Sequence, residues 1–325
     1  ANVDSTTTNN SGNFNKSLGL GSYTLTYTKS GYISTTQSSA IATDNQTVTA
    51  NVTLLANTCS AGTVEGTIID AVSGNAVSDV SLSVRSGLNV TSGSTTGITA
   101  TSANNGTYTL SSMNAGGYTV QASKDGYIST FITVNVCGNM SNQNASMSEE
   151  LSSGSMRFVL SWPTGSTGDD LDSHLTGPDN ASGRFHIYWP TAKQKFFYYT
   201  NDQTCSGCNS SQKSDNVTLD NDGQTAPGTE TITIPTDSWR SGTYRYSAHD
   251  YTNAGTGYAS STKFAESGTT VKVYYGDTEP RNYNVPNSAG TLWTVFTIDG
   301  SSKVVTLVNS MSAVAGTASG SASVE

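Results

Sequence analysis

One block of this chain is written twice, and that repetition limits what it can fold into more than any bulk property does. Residues 116–134 read GGYTVQASKDGYISTFITV and residues 21–36 read GSYTLTYTKSGYISTT, so Gly-x-Tyr-Thr, Lys-x-Gly-Tyr-Ile-Ser-Thr recurs with nothing inserted. Two copies of one module are therefore expected. Upstream, SANNGTYTL at 102–110 answers TNNSGNFNKSL at 8–18, and each copy ends in an alternating run such as Gln46–Leu55, the period of a half-buried strand. The second copy opens with Val64-Glu65-Gly66-Thr67-Ile68-Ile69, sixteen residues ahead of Val80, whereas the first begins at Ala1-Asn2-Val3, read as the counterpart of Ser78-Asp79-Val80. The expectation is that the N-terminal module lacks its first strand, with strands near 12–18, 21–28, 31–37 and 45–54.

The ordered motifs V-x-G-T, G-N-A-V, N-N-G-x-Y, G-x-Y-x-V and G-Y resemble the carboxypeptidase regulatory-like domain, a transthyretin-like β-sandwich. The resemblance covers about residues 1–150 and implies architecture rather than activity. Thr, Val, Tyr and Ile recur at every second position and only 12% of residues are charged, which suits an all-β protein of three tandem sandwiches. The expected divisions are 1–56 (incomplete module), 57–150 (complete module), 151–311 (a larger, aromatic-rich antiparallel sandwich) and 312–325 (a C-terminal tail). The net charge of −9 is spread without a basic stripe, so nucleic acid is excluded as a partner. No apolar run approaches a membrane span, and the composition suits a processed chain outside the cell, at its surface.

The four cysteines agree with an oxidising compartment. Cys59 and Cys137 flank the complete module, and a bridge between them would staple its ends; two buried thiols are the alternative. Cys205 and Cys208 form a Cys-x-x-Cys in the polar loop TNDQTCSGCNSS, where a short-range disulfide is favoured over a zinc half-site. Eleven Asn-x-Ser/Thr sequons, among them Asn9, Asn51, Asn105, Asn144 and Asn216, are glycan acceptors on a secreted chain, in a number close to chance for this Ser and Thr content.

From Met156 the chain gains aromatics and charge. Asp170-Leu171-Asp172-Ser173-His174-Leu175, then Leu219-Asp220-Asn221-Asp222, then Glu230 make it similar to an uncharacterised bacterial surface domain marked by D-L-D-x-H-L, L-D-x-D and G-P-E blocks. The last block departs from that pattern, since Pro227-Gly228-Thr229-Glu230 stands in place of Gly-Pro-Glu. The resemblance spans about 156–311 and implies no catalytic activity. Alternation puts Asp170, Asp172 and His174 on one strand face, with Leu171 and Leu175 on the other. Oxygen ligands from Asp170, Asp172, Asp220, Asp222 and Glu230 suit calcium, which takes six to eight oxygens; acids that cap turns are the plainer alternative. His174, His186 and His249 form a second candidate set, for a transition metal, or else brace the sheet. His186 is expected directly across a hairpin from His174, centred on Asn180. Tyr188, Trp189, Tyr198, Tyr199 and Tyr251 are candidates for stacking sugar rings, or for filling the core.

Enzyme chemistry finds no support. No histidine is followed by Glu at the His-x-x-Glu zinc spacing, no Gly-x-Ser-x-Gly elbow lies between a strand and a helix, and Asp170 and Asp172 point the same way rather than flanking a bond.

The two ends complement each other. Val314-Ala315-Gly316-Thr317 repeats the V-x-G-T of the complete module, and the end of one copy written before the start of another puts it fourteen residues ahead of Val3. A sandwich short of a strand exposes unpaired backbone groups and an apolar groove. The expected function is a subunit of an extracellular filament or surface fibre, joined head to tail as the tail of one copy completes the first module of the next. A longer chain of which this is one period gives the same string through a covalent joint. The rival reading is a non-polymerising adhesin or carbohydrate-binding module that engages glycans or a cell surface.

Overall fold

The computed structural model describes residues 4–42, 44, 47–163, 167–168, 170–179, 182–189, 196–198, 216–276, 278 and 280–317. It is all-β apart from short helical turns, the one α-helix among the described residues being α1 (Lys263–Glu266). No helix among them is long and apolar enough to cross a membrane.

The first repeat contributes a single antiparallel ribbon, β1 (Gly21–Tyr27) with β2 (Thr35–Ile41). Strands expected near 12–18 and 45–54 do not form in the described residues. The second repeat is complete. In it β3 (Gly62–Asp70) lies between β6 (Thr107–Met113), its antiparallel partner, and β9 (Ala145–Met147), its parallel one. Facing them, β4 (Ser81–Ser86) sits between β5 (Thr99–Thr101) and β7 (Gly116–Ser123), with β8 (Thr130–Val136) at the far edge. Val64, Ile68, Val80, Leu82, Val84, Leu110 and Val120 alternate inward from the two sheets and are sealed from solvent. Each such side chain contributes about 1.5–3 kcal/mol by its burial. Cys59 and Cys137 are bridged, with Cα atoms 4.7 Å apart, and so clamp the module's two ends.

The third domain is a sandwich of a six-stranded and a five-stranded sheet. The first runs β13 (Phe196–Tyr198), β14 (Asn216–Asp222), β15 (Gly228–Ile234), β10 (Met156–Trp162), β17 (Thr270–Tyr275), β18 (Arg281–Asn284). The second runs β12 (Arg184–Ile187), β11 (Leu171–Pro178), β16 (Thr243–Asp250), β19 (Leu292–Asp299), β20 (Val305–Ser312). Between them Phe158, Tyr246 and Phe296 pack ring on ring, with centroids 5.2–5.5 Å apart. β14 takes in Asp220 and Asp222, which read in sequence as cation ligands or turn caps.

The second and third domains are welded. Ala71 and Ile128 pack against Val159 and Tyr274, and the Arg157 guanidinium, on β10, donates to Ser148 Oγ at 2.6 Å. Thr231 donates to the Ala71 carbonyl and Lys272 to Thr130.

Candidate functional site

Two places depart from an ordinary packed sandwich: the open first module, and a buried cluster of acids and imidazoles in the third domain.

The first module can be matched to the second bond by bond. The turn closed by Gly12 N–H to Asn9 O (2.9 Å) repeats Gly106 N–H to Ala103 O (2.8 Å). Ile33 N–H to Leu55 O (2.8 Å) repeats Ile128 N–H to Ser148 O (2.9 Å), and Asn57 N–H to Gly31 O repeats Glu150 N–H to Gly126 O, both 3.0 Å. These equivalences put Val52-Thr53-Leu54 where β9 lies and Phe14 where Tyr108 lies. Among the described residues no strand lies between them where β3 lies in the second module, and neither flank forms a strand. β7 pairs with both β4 and β8, whereas among the described residues its counterpart β1 pairs only with β2.

The consequence is an exposed core. Among the described residues no apolar side chain before Val64 is buried. Phe14 is 37% exposed where Tyr108 is 3%, and Tyr23, Leu25 and Tyr27 are only half-buried. What holds the ribbon is its dock on the second module: Leu88 N–H donates to Thr36 O and Ser38 N–H to Leu88 O, burying Thr35 and Gln37.

Beyond β20, Val314 N–H donates to Thr291 Oγ1 at 3.0 Å, the same hydroxyl donates to the Val314 carbonyl, and Gly316 N–H donates to Ala254 O at 3.2 Å. Val314 also packs on Leu292. The segment Val314–Thr317 is thus tied to its own domain and is not a strand, because Thr291 and Ala254 supply the hydrogen bonds that a β partner would otherwise provide.

In the third domain Leu171 and Leu175 enter the core, as alternation requires, while Asp172 stands directly opposite His249 of the neighbouring strand. His174 is reached from two sides. Its Nδ1 lies 2.8 Å from His186 Nε2, and Tyr188 stacks on both rings, with centroids 5.3 Å from His174 and 4.2 Å from His186. The residue opposite His186 is Thr176 rather than His174, since Pro178 pairs with Arg184 and the hairpin is centred one residue later than expected. The imidazoles therefore meet along the sheet diagonal.

The five acids separate into two groups. Asp222 pairs with Glu230, but the register of β14 against β15 shifts between Leu219 and Asn221. The bulge breaks the alternation that would have put Asp220 beside Asp222. Asp220 instead takes hydrogen bonds from Thr218 and Thr233 and faces Arg157, whose charge opposes the upward push of burial on its carboxyl. Glu230 belongs with Asp172: its Oε2 accepts from Ser173 N–H, and burial first, then Asp172, push its carboxyl well above the ordinary range. Asp172 is raised by burial, and Asp170 to about 6 by burial, then Asp172 and Asp222. Burial also holds His174 well below the ordinary imidazole value and His186 down to about 4, so both rings are neutral at pH 7. The proposed calcium set is thus four acids without Asp220, and nitrogen atoms lie among them.

Other expected residues fall as follows. Tyr188 is buried rather than presented to solvent, because it covers the two histidines; Trp189 meets Tyr251 edge to face, and of these Tyr251 alone is exposed. Tyr199, Cys205 and Cys208 lie outside the described residues, as does the side chain of Tyr198. Asn9, Asn51 and Asn105 are exposed. Asn144 is half-buried with Oδ1 accepting from Thr67 N–H, and Asn216 is buried at the start of β14, which closes its amide to a glycan in the folded chain.

Residues 63–148 match the family model of the carboxypeptidase regulatory-like domain. No curated protein matches the chain. Likeness to solved structures is slight. A mutant cohesin and X-dockerin complex from Acetivibrio cellulolyticus is 20% identical, over 27% of this chain and 58% of that one, with a TM-score of 0.20; the chain thus spans less than two thirds of it. A protein from Bacteroides uniformis titled as a candidate carbohydrate-binding protein is 12% identical over 69% of this chain and 96% of its own, with a TM-score of 0.22. A streptococcal ancillary pilin is 12% identical over 83% and 72%, with a TM-score of 0.23. Scores this low carry no argument about function.

Proposed function

We propose that the chain is the repeating unit of an extracellular, cell-surface filament, strung head to tail as the C-terminal tail of one unit completes the N-terminal module of the next. The observation that carries this is the open first module: among the described residues, two flanking segments sit in place with no strand between them and no buried apolar residue. The complete module shows what the slot accepts. A Cβ on Gly66 would lie 2.1 Å from the Gln143 carbonyl, so the third residue of V-x-G-T has to be glycine. In the tail that residue is Gly316, and in the first module the equivalent carbonyl is Ala50, held by the Tyr27 hydroxyl at 3.0 Å as Gln143 O is held by Tyr108. Asn51 takes the place of Asn144, so its side-chain oxygen is free to accept from Thr317 N–H of the incoming strand.

Joining has a cost. Val314 must leave Thr291 and Leu292, and Gly316 must leave Ala254. Against these bonds, the contact of the Val314 carbonyl with His249 and the interaction of Thr317 stand a two-sided ladder and a closed core, as β3 makes with β6, Met140 and Gln143 in the complete module. The string forms whether the joint between units is covalent or not. In this picture the third domain is a non-catalytic surface domain, with adhesion as a secondary role. Negative-stain microscopy of the purified full chain tests the proposal: fibres are expected, while a monodisperse particle at every concentration overturns it. A denaturing gel then separates the joints, a band near 34 kDa marking a non-covalent one.

A further inference from the structure

We infer that Asp172, His174 and His249 form a binding site for one divalent ion of the zinc class. Each offers one ligand atom, all within 4.8 Å of one another, and all three residues are buried. Asp172 Oδ2, His174 Nε2 and His249 Nδ1 are sealed from solvent with no hydrogen-bond partner among the described residues, and the contact between the first and last, 3.9 Å, is too long for one. Buried polar atoms are rarely left so. Ligands at about 2.1 Å from a shared ion in tetrahedral array stand about 3.4 Å apart, so side-chain rotations that close the longest separation by about 1 Å complete the triad.

The outer contacts fit the same assignment. His174 Nδ1 meets His186 Nε2 and His249 Nε2 lies 3.4 Å from the Val314 carbonyl, so each outer nitrogen has a partner to which it can donate in the tautomer that leaves the inner nitrogen its lone pair. Metal-bound histidines are oriented in this way. Burial keeps the His174 imidazole neutral, as ligation requires, and raises the Asp172 carboxyl, which a cation would offset. Glu230 Oε1 is a further buried oxygen without a hydrogen-bond partner, outside the group of three ligand atoms. Two imidazole nitrogens favour zinc-class ions over calcium, whose six to eight oxygens are not gathered here once Asp220 faces Arg157. The three ligands stand on β11 and β16 and none comes from the tail, but the outer contact of His249 is with Val314, which leaves it when units join.

The test uses the full chain refolded with Zn²⁺ or Co²⁺ and dialysed. About one zinc per chain is expected by elemental analysis, retained when Cys205 and Cys208 are both changed to Ser and lost on His249→Gln or Asp172→Asn. Unchanged chain loaded with Co²⁺ should show the visible bands of a low-coordinate nitrogen and oxygen site, so a variant that fails to fold does not decide the matter. Retention of zinc by folded His249→Gln overturns the assignment. So does loss of zinc with the two cysteines, a thiolate-to-cobalt absorption, or the absence of a bound ion in the unchanged chain.

Discussion

The requirement for glycine inside V-x-G-T can be measured twice, once where the strand is already in place and once where it has yet to arrive. In Gly66→Ala the new Cβ meets Gln143 O at 2.1 Å and Tyr108 Cε1 at 2.9 Å. An ordinary carbon to oxygen contact is about 3.3 Å, so β3 must back away from residue 143 by about 1 Å. That breaks the bonds Gln143 N–H to Glu65 O and Glu65 N–H to Met140 O, each 2.8–2.9 Å. Two hydrogen bonds at about 1 kcal/mol each, with overpacking of about 1–3 kcal/mol, give a loss of about 3–5 kcal/mol. For a domain of this size each kcal/mol lowers Tm by about 4–8 °C, so calorimetry should show the second module melting at least about 12 °C lower. Gly316→Ala places its Cβ in open space in the single chain, at a φ of +64° that costs about 1 kcal/mol and only within the tail. It should leave domain melting unchanged and abolish fibres. A Gly66→Ala shift below about 4 °C, or fibres undiminished in Gly316→Ala, refutes the reasoning.

Three further expectations concern the rest of the chain. Cys59→Ser opens a loop of 78 residues and should cost the second module about 4 kcal/mol, read as a fall in denaturant midpoint that reductant reproduces in the unchanged chain. Asn51→Ala removes an acceptor needed only after joining, so fibre assembly should need a higher concentration while the melting of single chains is unaltered. In the metal-free chain, Glu230 has a raised carboxyl pKa, whose stability is present below about pH 4.3 and lost as pH rises through the folded-state value. Glu230→Gln removes that loss, so its Tm advantage over the unchanged chain should grow from pH 5 to pH 8; a constant or shrinking difference counts against an uncompensated buried carboxyl.

Sequence carried the frame of this molecule because the frame depends on local signals. The repeated Gly-Tyr blocks recur at matching turns, with Gly31 and Gly126 both at a φ near +80°, and the cysteines at the module's ends are bridged as their positions suggested. The third sandwich followed from the rise in aromatics and charge that begins at Met156. Details that depend on pairing were not legible. Leu219-Asp220-Asn221-Asp222 looked like one acidic ligand set, yet a one-residue bulge, invisible to period-two counting, sends Asp220 toward Arg157 and Asp222 toward Glu230. A hairpin centre displaced by one residue moved His174 and His186 from opposite to diagonal. The N-terminal module was read as short of one strand; that β1 also lacks the partner β4 gives to β7 became evident only from the ladder. The mooring of Val314 on Thr291 had no signal, since one threonine hydroxyl among many provides it.

The central claim concerns which chain fills the slot. In the complete module Ile68 and Ala145 are paired across β3 and β9, and their counterparts are Ala318 in the tail and Val52 in the open module. Mixing chains carrying Val52→Cys with chains carrying Ala318→Cys, then adding a short thiol crosslinker, should give a band of two chains that neither variant gives alone. Crosslinking confined to single chains that carry both changes, with none between the mixed variants, would contradict the account.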